Sequence, residues 1–348
     1  MSQTAPITAG SLLVHGTQPQ SNFQLTNAAN NVGVFAARFE TPKDTSNPNF
    51  GDVNYVNSGA LTIGPLTGRG FDFDGTTVFP TTIAAANSTS GGDFFAQTLA
   101  GNLTLNQSIA TLGSDITLVS AGLFDNAGNG TLTPGGGGRW LTYATTWVGE
   151  NRGGLAPGNP QPNFYNCTFG GPCGVTIPGT GNHFVYRAQP SLTLTANDQT
   201  RPVGSPNPPL TFTPSGLVNN DTVGDAVVGG FSTTANPASG LGTYPITGSF
   251  TSPVGYILSV VSGTLIVSNL DLGGVRPEMS RDSAYESSNV YGKNFGLPGL
   301  CLASGPLSVE AGTTGGGDLL SLEWSRVRLR PNLSNCVEAE QRNTCSDF

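Results

Sequence analysis

The sequence predicts an all-β protein: right-handed parallel β-helix coils, then a small β-sandwich-like (alternatively β-grasp-like) module, then a mixed tail. Three observations lead there. First, one short phrase is restated between residues 59 and 143: Gly59-Ala-Leu-Thr-Ile-Gly, Gly101-Asn-Leu-Thr-Leu-Asn, Ser114-Asp-Ile-Thr-Leu-Val and Gly130-Thr-Leu-Thr-Pro. Each copy is an apolar–Thr–apolar alternation bounded by turn residues, the pattern of a short strand with one buried face. Second, only 10% of residues are charged while 49 are glycine. A steady supply of Leu, Ile, Val and 18 Phe separates this composition from disorder, because disordered chains lack the apolar residues that offset chain entropy. Third, helix signals are almost missing.

Taken in order, residues 1–150 form the terminal β-helix coils. Phe23-Gln-Leu-Thr-Asn, Val32-Gly-Val-Phe-Ala-Ala, Asp52-Val-Asn-Tyr-Val-Asn and Asp93-Phe-Phe-Ala-Gln extend the pattern at intervals suited to several strands per coil. Stacked coils superpose equivalent positions at about 4.8 Å. Like charges would then repel along the stack, whereas Thr, Asn, Ser and Gly are harmless, which accounts for the low charge. Gly135-Gly-Gly-Gly-Arg-Trp-Leu-Thr-Tyr reads as a tight turn into an aromatic cap over the end of the core.

Residues 151–188 read as a Gly/Pro/Cys linker, a composition that forbids long strands. Residues 189–268 read as a compact all-β module, with strands at 191–195, 210–215, 227–233, 242–247 and 256–267, the last broken at Ser262-Gly263. The tail, 269–348, holds 17 of the 36 charged residues. Within it 319–330 alternates, placing Arg326, Arg328 and Arg330 on one strand face. That stripe is a candidate contact for an anionic surface; a solvated or edge-protecting face is the blander alternative.

Several function classes are set aside. A net charge of −8 argues against nucleic acid as partner. No apolar run is long enough for a transmembrane helix. The first twenty residues lack a basic and an apolar region, so they are not a signal peptide. Because Ile7-Thr-Ala-Gly-Ser-Leu-Leu-Val already reads like the middle of a repeat, the chain is expected to be a downstream piece of a longer exported protein. Five cysteines fit an oxidising compartment: Cys167 with Cys173 and Cys336 with Cys345 are spaced for small disulfide loops. Free thiols are the alternative, and zinc is disfavoured by the spacing and by having only His15 and His183. Cys301 is left as a buried thiol or an intermolecular link.

The residues at 189–268 resemble the MBG domain, YGX type, of large bacterial surface proteins. The matching text is Leu192-Thr-Leu-Thr-Ala-Asn-Asp, Pro206-Asn-Pro-Pro-Leu-Thr-Phe-Thr, Ser215-Gly-Leu-Val-Asn-Asn-Asp-Thr, Gly242-Thr-Tyr-Pro-Ile-Thr and Gly263-Thr-Leu-Ile-Val-Ser. Where the family has Tyr-Gly-Asp, this chain has Val203-Gly204-Ser205. The first region resembles the C-terminal coils of filamentous-haemagglutinin-like exoproteins, where Gly-Ala-Leu-Thr-Ile, Asn-Leu-Thr-Leu and Gly-Arg-Trp-Leu-x-Tyr also precede MBG modules. The resemblance implies two-partner secretion through an outer-membrane transporter partner, and a bacterial, secreted or cell-surface location.

Candidate chemistry is sparse. Asp72 and Asp74 could face the same way on a strand, as paired carboxylates of a hydrolase or lyase or as part of a Ca2+ loop, but the further ligands are missing and turn roles suffice. Asp52, Asp93 and Asp115 each precede a strand as turn residues. His15 and His183 read as structural. Residues 135–138 lack the Lys-Ser/Thr and helix of a phosphate loop. Seven Asn-x-Ser/Thr sequons, at Asn87, Asn102, Asn106, Asn129, Asn166, Asn220 and Asn332, are what an Asn/Ser/Thr-rich chain yields by chance. The Cys336–Cys345 loop, close to the end, is a candidate knot that would hold the chain in a secretion pore. No catalytic, cofactor or metal residue is expected. The reading is a non-enzymatic adhesin-like exoprotein fragment with host or matrix glycans as candidate ligands; the alternative is a β-helical carbohydrate-active hydrolase or lyase using the paired Asp residues.

Overall fold

The structure, a computed structural model, describes residues 1–17, 21–40, 51–69, 83–85, 88–112, 114–158 and 161–269. The chain divides into two units, Met1–Val267 and Ser268–Phe348. The strands below belong to the first, the last of them running one residue past its end.

The first half of this unit is a parallel coil with three faces. One face stacks β1 (Thr8–Gly16), β3 (Asn31–Phe39), β5 (Leu61–Ile63), β10 (Leu103–Leu105) and β13 (Phe124–Asp125). A second stacks β8 (Ser88–Ser90), β11 (Ile109–Thr111) and β14 (Leu132–Thr133). The third and longest runs β2 (Phe23–Leu25), β4 (Val53–Asn57), β9 (Phe94–Thr98), β12 (Ile116–Val119), β15 (Trp140–Ala144), β17 (His183–Tyr186) and β16 (Asn163–Phe164). All pairings within these faces are parallel.

The apolar–Thr–apolar phrase explains the strands but does not mark one face. Its copies fall on β5 and β10 of the first face, β12 of the third and β14 of the second. In the copies on β5, β10 and β12 both flanking apolar residues are buried, and on β14 Leu132 is; Leu61 and Ile63 pair with Leu103 and Leu105, with Thr62 beside Thr104 on the outside. Backbone equivalents recur after 22 and then 24 residues, at Asp93, Asp115 and Arg139. The preceding turn takes 41 residues, from Asp52 to Asp93, because an antiparallel hairpin of β6 (Leu66–Gly68) and β7 (Ile83–Ala85) is inserted there. Asp72 and Asp74, between its strands, lie outside the described residues.

Inside, rings run along the axis. Phe35 stacks on Tyr55 at 4.4 Å and meets Phe94 at 6.4 Å; Trp140 meets Phe184 edge-on at 5.0 Å. Trp140 is therefore not the last layer. The segment 151–188, read from composition as a linker, contributes β16 and β17, whose Phe164, Phe184 and Tyr186 are completely buried. Short polar tracts there hid a four-residue strand held between β15 and β16 and a two-residue strand held by β17 alone.

The corners need more than strands. Where the chain bends, amides and carbonyls face inward without water, and an unpaired buried backbone group is costly. Short polar side chains fill that role. Asn57, fully buried, donates from Nδ2 to the carbonyls of Val32 (3.1 Å), Gly59 (3.2 Å) and Ala60 (2.9 Å), while Oδ1 accepts from Val32 N and the Tyr55 hydroxyl. Asn30 does the same one coil earlier for Leu25 and Val56. In the next coils Thr98 and Ser120 serve that corner, and Ser90 and Thr111 serve another.

The second half is the module. Its three-stranded sheet has β18 (Ser191–Ala196) between antiparallel β20 (Phe212–Ser215) and parallel β23 (Ile257–Val261). Its four-stranded sheet runs β19 (Gln199–Pro202), β24 (Gly263–Ser268), β22 (Gly242–Thr251) and β21 (Val228–Thr233). Ser262 separates β23 from β24, so the chain passes from one sheet to the other at that break. One four-residue helix, α1 (Val223–Ala226), is started by Thr222 and Asp225 in a capping box.

Replacing Asn57 by Ala would leave the Val32, Gly59 and Ala60 carbonyls without their donor. Denaturant unfolding should show a loss of about 1–3 kcal/mol; a change within error would mean that the corner side chains are dispensable.

Candidate functional site: the junction of coil and module

Asp52, Asp93 and Asp115 come together. Each stands at the corner before a strand of the long sheet, and each carboxylate accepts from the next coil: Asp93 N to Asp52 Oδ1 at 2.9 Å, Asp115 N to Asp93 Oδ1 at 3.0 Å, Arg139 N to Asp115 Oδ1 at 2.8 Å. The Arg139 guanidinium closes the ladder 4.0 Å from Asp115. These carboxylates act as backbone acceptors. Residues 135–138 make a tight turn, with Gly138 N bonded to Gly135 O at 2.8 Å.

Cys167 and Cys173 are joined by a disulfide, closing a loop whose Phe169 lies on Phe95 and Tyr143 at 5.4 and 5.1 Å. His15 sits 2.9 Å from Glu40. His183, 2% exposed, presents Nδ1 to Gln161 O and Nε2 to Thr180 O; burial holds its pKa below the ordinary value against the pull of those two carbonyls. Asn102, Asn106, Asn129, Asn166 and Asn220 are exposed. Asn87, Asn332, Cys301, Cys336, Cys345, Arg326, Arg328 and Arg330 lie outside the described residues. Among the described residues no group of His, Cys, Asp and Glu is placed to hold a metal.

The most concentrated chemistry lies where none was predicted, between the last coil and the module. Tyr186 and Arg152 converge on Glu150: the hydroxyl donates to Oε2 at 2.5 Å and Arg152 Nε at 2.9 Å. The Arg152 guanidinium lies 4.1 Å over the Phe184 ring and donates to Asn163 Oδ1 at 2.8 Å. Asn163 Nδ2 donates across to Asp221 Oδ1 at 2.5 Å. The other Asp221 oxygen accepts from Tyr165 and Tyr256, both at 2.7 Å. Asn219 Nδ2 and Val218 N in turn donate to those two hydroxyls. The chain of bonds thus starts in the coil, at Glu150, and ends in the module, at Tyr256.

Its electrostatics follow from enclosure. Asp221 is 6% exposed and the Glu150 side chain 2%. Burial raises the Glu150 pKa against the Tyr186 hydrogen bond and the Arg152 charge, and Glu150 Oε1 has no partner among the described residues. Burial also raises Asp221, outweighing donation from Asn163, Tyr256 and Tyr165, and the nearby Asp225 adds to the shift. Tyr165, Tyr186 and Tyr256 are raised by burial too, so they stay neutral donors. Two carboxylates with raised pKa values invite an acid–base reading. The geometry argues otherwise: both Asp221 oxygens, Glu150 Oε2 and the three tyrosine hydroxyls are all committed to neighbours within the described residues. An open cleft of about 440 Å³ lies nearby, lined by Gln161, Val175, Thr176 and Ser252 among others, but not by Glu150 or Asp221. The arrangement can fasten and orient one fold on the other.

The site is not legible in the sequence because its members are scattered from 150 to 256 and, Tyr256 apart, stand in stretches whose composition reads as loop. One local signal was available. Asp221-Thr222-Val-Gly-Asp225 contains the Thr-x-x-Asp of the capping box, which fixes the loop that presents Asp221.

In Asp221→Asn one acceptor oxygen becomes an NH2 that faces a donor in either orientation, Asn163 Nδ2 or the Tyr165 and Tyr256 hydroxyls, so the change should cost about 1–3 kcal/mol. The cost should depend on pH. A carboxyl whose pKa is higher in the fold than in the unfolded chain binds protons more tightly when folded. Its contribution is complete below the unfolded value of about 4 and is lost as pH rises through the raised folded value. The melting-temperature gap between wild type and Asp221→Asn should therefore widen from pH 7 to pH 5. Both proteins keep His183, whose lowered pKa acts in the opposite sense, so the difference isolates Asp221; a narrowing gap would contradict the assignment. Replacing Cys167 and Cys173 by Ser removes a cross-link between residues six apart, and the melt should show a loss of about 2 kcal/mol.

Residues 192–266 match the family profile described as MBG domain (YGX type), so the module half of the unit and Asp221 within it fall inside the match. Val203, at the turn where the resemblance has an aromatic, is exposed. No curated protein and no solved structure shows significant similarity to the chain. No helix among the described residues is long and apolar enough to cross a membrane. Residues 192–266 are thus similar to the MBG domain, a non-catalytic module typical of extracellular and surface proteins, and a buried polar network joins them to the parallel β-coil.

Proposed function

We propose that the chain is the C-terminal part of a filamentous-haemagglutinin-like exoprotein, secreted or displayed on a bacterial surface, that works by attachment and not by catalysis. The coil is a stalk and the MBG module a stiffly mounted spacer or tip. The observation that carries this reading is the junction. A module whose Asp221 is bonded to Asn163 and Tyr165 of the coil end extends the rod instead of swinging from it. A lever-like stalk suits a protein that must present a surface at a distance.

The export route in this proposal is two-partner secretion through an outer-membrane transporter. The coil suits it physically. Each turn is held mainly by its neighbours, so folding can spread turn by turn from either end of an emerging chain. Few of the coil's residues are charged, so the stack forms without like-charge repulsion. The paired-Asp hydrolase reading turns on Asp72 and Asp74, which lie outside the described residues.

Two measurements test the proposal. In intact producing cells, antibody against the MBG module should label the surface and added protease should cleave the chain; labelling only after lysis would contradict it. With polysaccharide substrates, wild type and Asp74→Asn should both leave chain length unchanged. Release of reducing ends by wild type but not by the variant would instead establish the enzyme.

A further inference from the structure

Beyond the junction, the outer face of the long sheet shows a second kind of organisation. In β9 the alternation buries Phe94, Ala96 and Thr98 and turns Phe95 and Gln97 outward. In β4 it turns Asn54 outward beside Phe95, since these two are register partners, while Gln97 lies two residues further along the same face. Neighbouring strands are about 4.8 Å apart and alternate residues about 6.8 Å. The three side chains thus mark a triangle about as broad as one sugar ring.

Two of the three are unengaged amides. The side-chain amides of Asn54 and Gln97 are half-buried and make no hydrogen bond to any described residue, in contrast to the buried corner amides, all of which are bonded. The third, Phe95, is held in orientation. Phe169 meets it at 5.4 Å and Tyr143 at 5.1 Å. Since Tyr143 is two strands away from Phe95, Phe169 must lie over β12, on the side away from Asn54. Phe169 is itself 38% exposed and is carried on the disulfide loop. The rings are therefore prepositioned before any ligand arrives, which lowers the ordering cost of binding.

Charge narrows the ligand class. The carboxylates of Asp52 and Asp93 stand at the corner immediately before β4 and β9, with Asp93 exposed. The outward residues of β4, β9, β12 and β15 include no cation. Arg139, the cation of this line of corners, lies two strands away beside Asp115, so the exposed Asp93 carboxylate disfavours an anionic ligand at Phe95, and the amides would be left unpaired under a purely apolar one. A neutral glycan satisfies both limits. Its C–H face lies on the ring, and its hydroxyls pair with amides that each donate and accept.

We infer that Asn54, Phe95 and Gln97, backed by Phe169, form a shallow binding site for a neutral hexose of a surface glycan. This rests on the attachment reading above and gives it a ligand class. The site is open, so single contacts are weak and useful affinity comes from many copies on one surface.

The test presents the intact chain to immobilised oligosaccharides ending in galactose, glucose or N-acetylhexosamine, and to sialylated and sulfated counterparts. Neutral glycans should bind and acidic ones should not. Phe95→Leu keeps an apolar cover under Phe169 but removes the flat ring, and should weaken binding at least fivefold with an unchanged melting temperature. Gln97→Ala and Asn54→Ala should each weaken it less. Failure of every neutral glycan to bind, a preference for acidic glycans, or full binding by Phe95→Leu would overturn the site. Surface labelling of the same cells separates the outcomes: a displayed chain that binds no neutral glycan loses the site alone, whereas a chain found only inside the cell loses the attachment reading.

Discussion

Side chains that stand in for water at the corners of a turning backbone hold this structure together. A coil of short parallel strands bends three times per turn, and each bend directs amides and carbonyls inward. Asn30, Asn57, Thr98 and Ser120 satisfy one such line of bends, each bonding to backbone of its own turn or of the neighbouring one. Asn126 does so where the chain leaves β13, bonding Gly130 and the Arg152 carbonyl. The apolar interior could be built from many combinations of Leu, Ile and Phe. The corners are less forgiving, because a buried amide without a partner costs more than an imperfectly packed methyl group.

The same device explains how the coil ends. At the last layer there is no further turn to accept from Asn163, and its Nδ2 bonds instead to Asp221 of the module. What is a ladder step along the shaft becomes a joint at its end. Glu150 and Arg152 support the joint from the coil side, Tyr256 from the module side. Buried charge is costly to desolvate, and here it is retained at the place where orientation between two folds has to be set. The acidic ladder of Asp52, Asp93 and Asp115 follows the same logic on the outside, where solvent and Arg139 temper the repulsion of stacked carboxylates.

The strands were largely legible in the sequence because their information is local. Leu103-Thr-Leu105 declares a one-faced strand by itself, and the module strands at 191–196, 228–233 and 242–251 announce themselves by alternation between turn clusters. The assignment of strands to faces was not legible, since the same phrase serves all three. Strands 163–164 and 183–186 were hidden for another reason. Their neighbours in sequence are Pro, Gly and Asn, and they are stabilised by β15 alone and by each other. The joint was invisible because it couples Glu150 to residues up to 256, and nothing in a linear reading links a loop Asp to a tyrosine 35 residues later. The glycan site lies between these cases: its alternation was readable, but the register placing Asn54 beside Phe95 was not.

The central claim is that coil and module form one cooperative body through this joint. Native-state hydrogen exchange on the intact chain, followed through increasing denaturant, tests it most directly. Amides of β12, β17, β18 and β22 should converge on a single opening free energy. If the β18 and β22 amides instead open in a separate step while β12 and β17 stay protected, the module is an independent bead on the shaft and the claim fails.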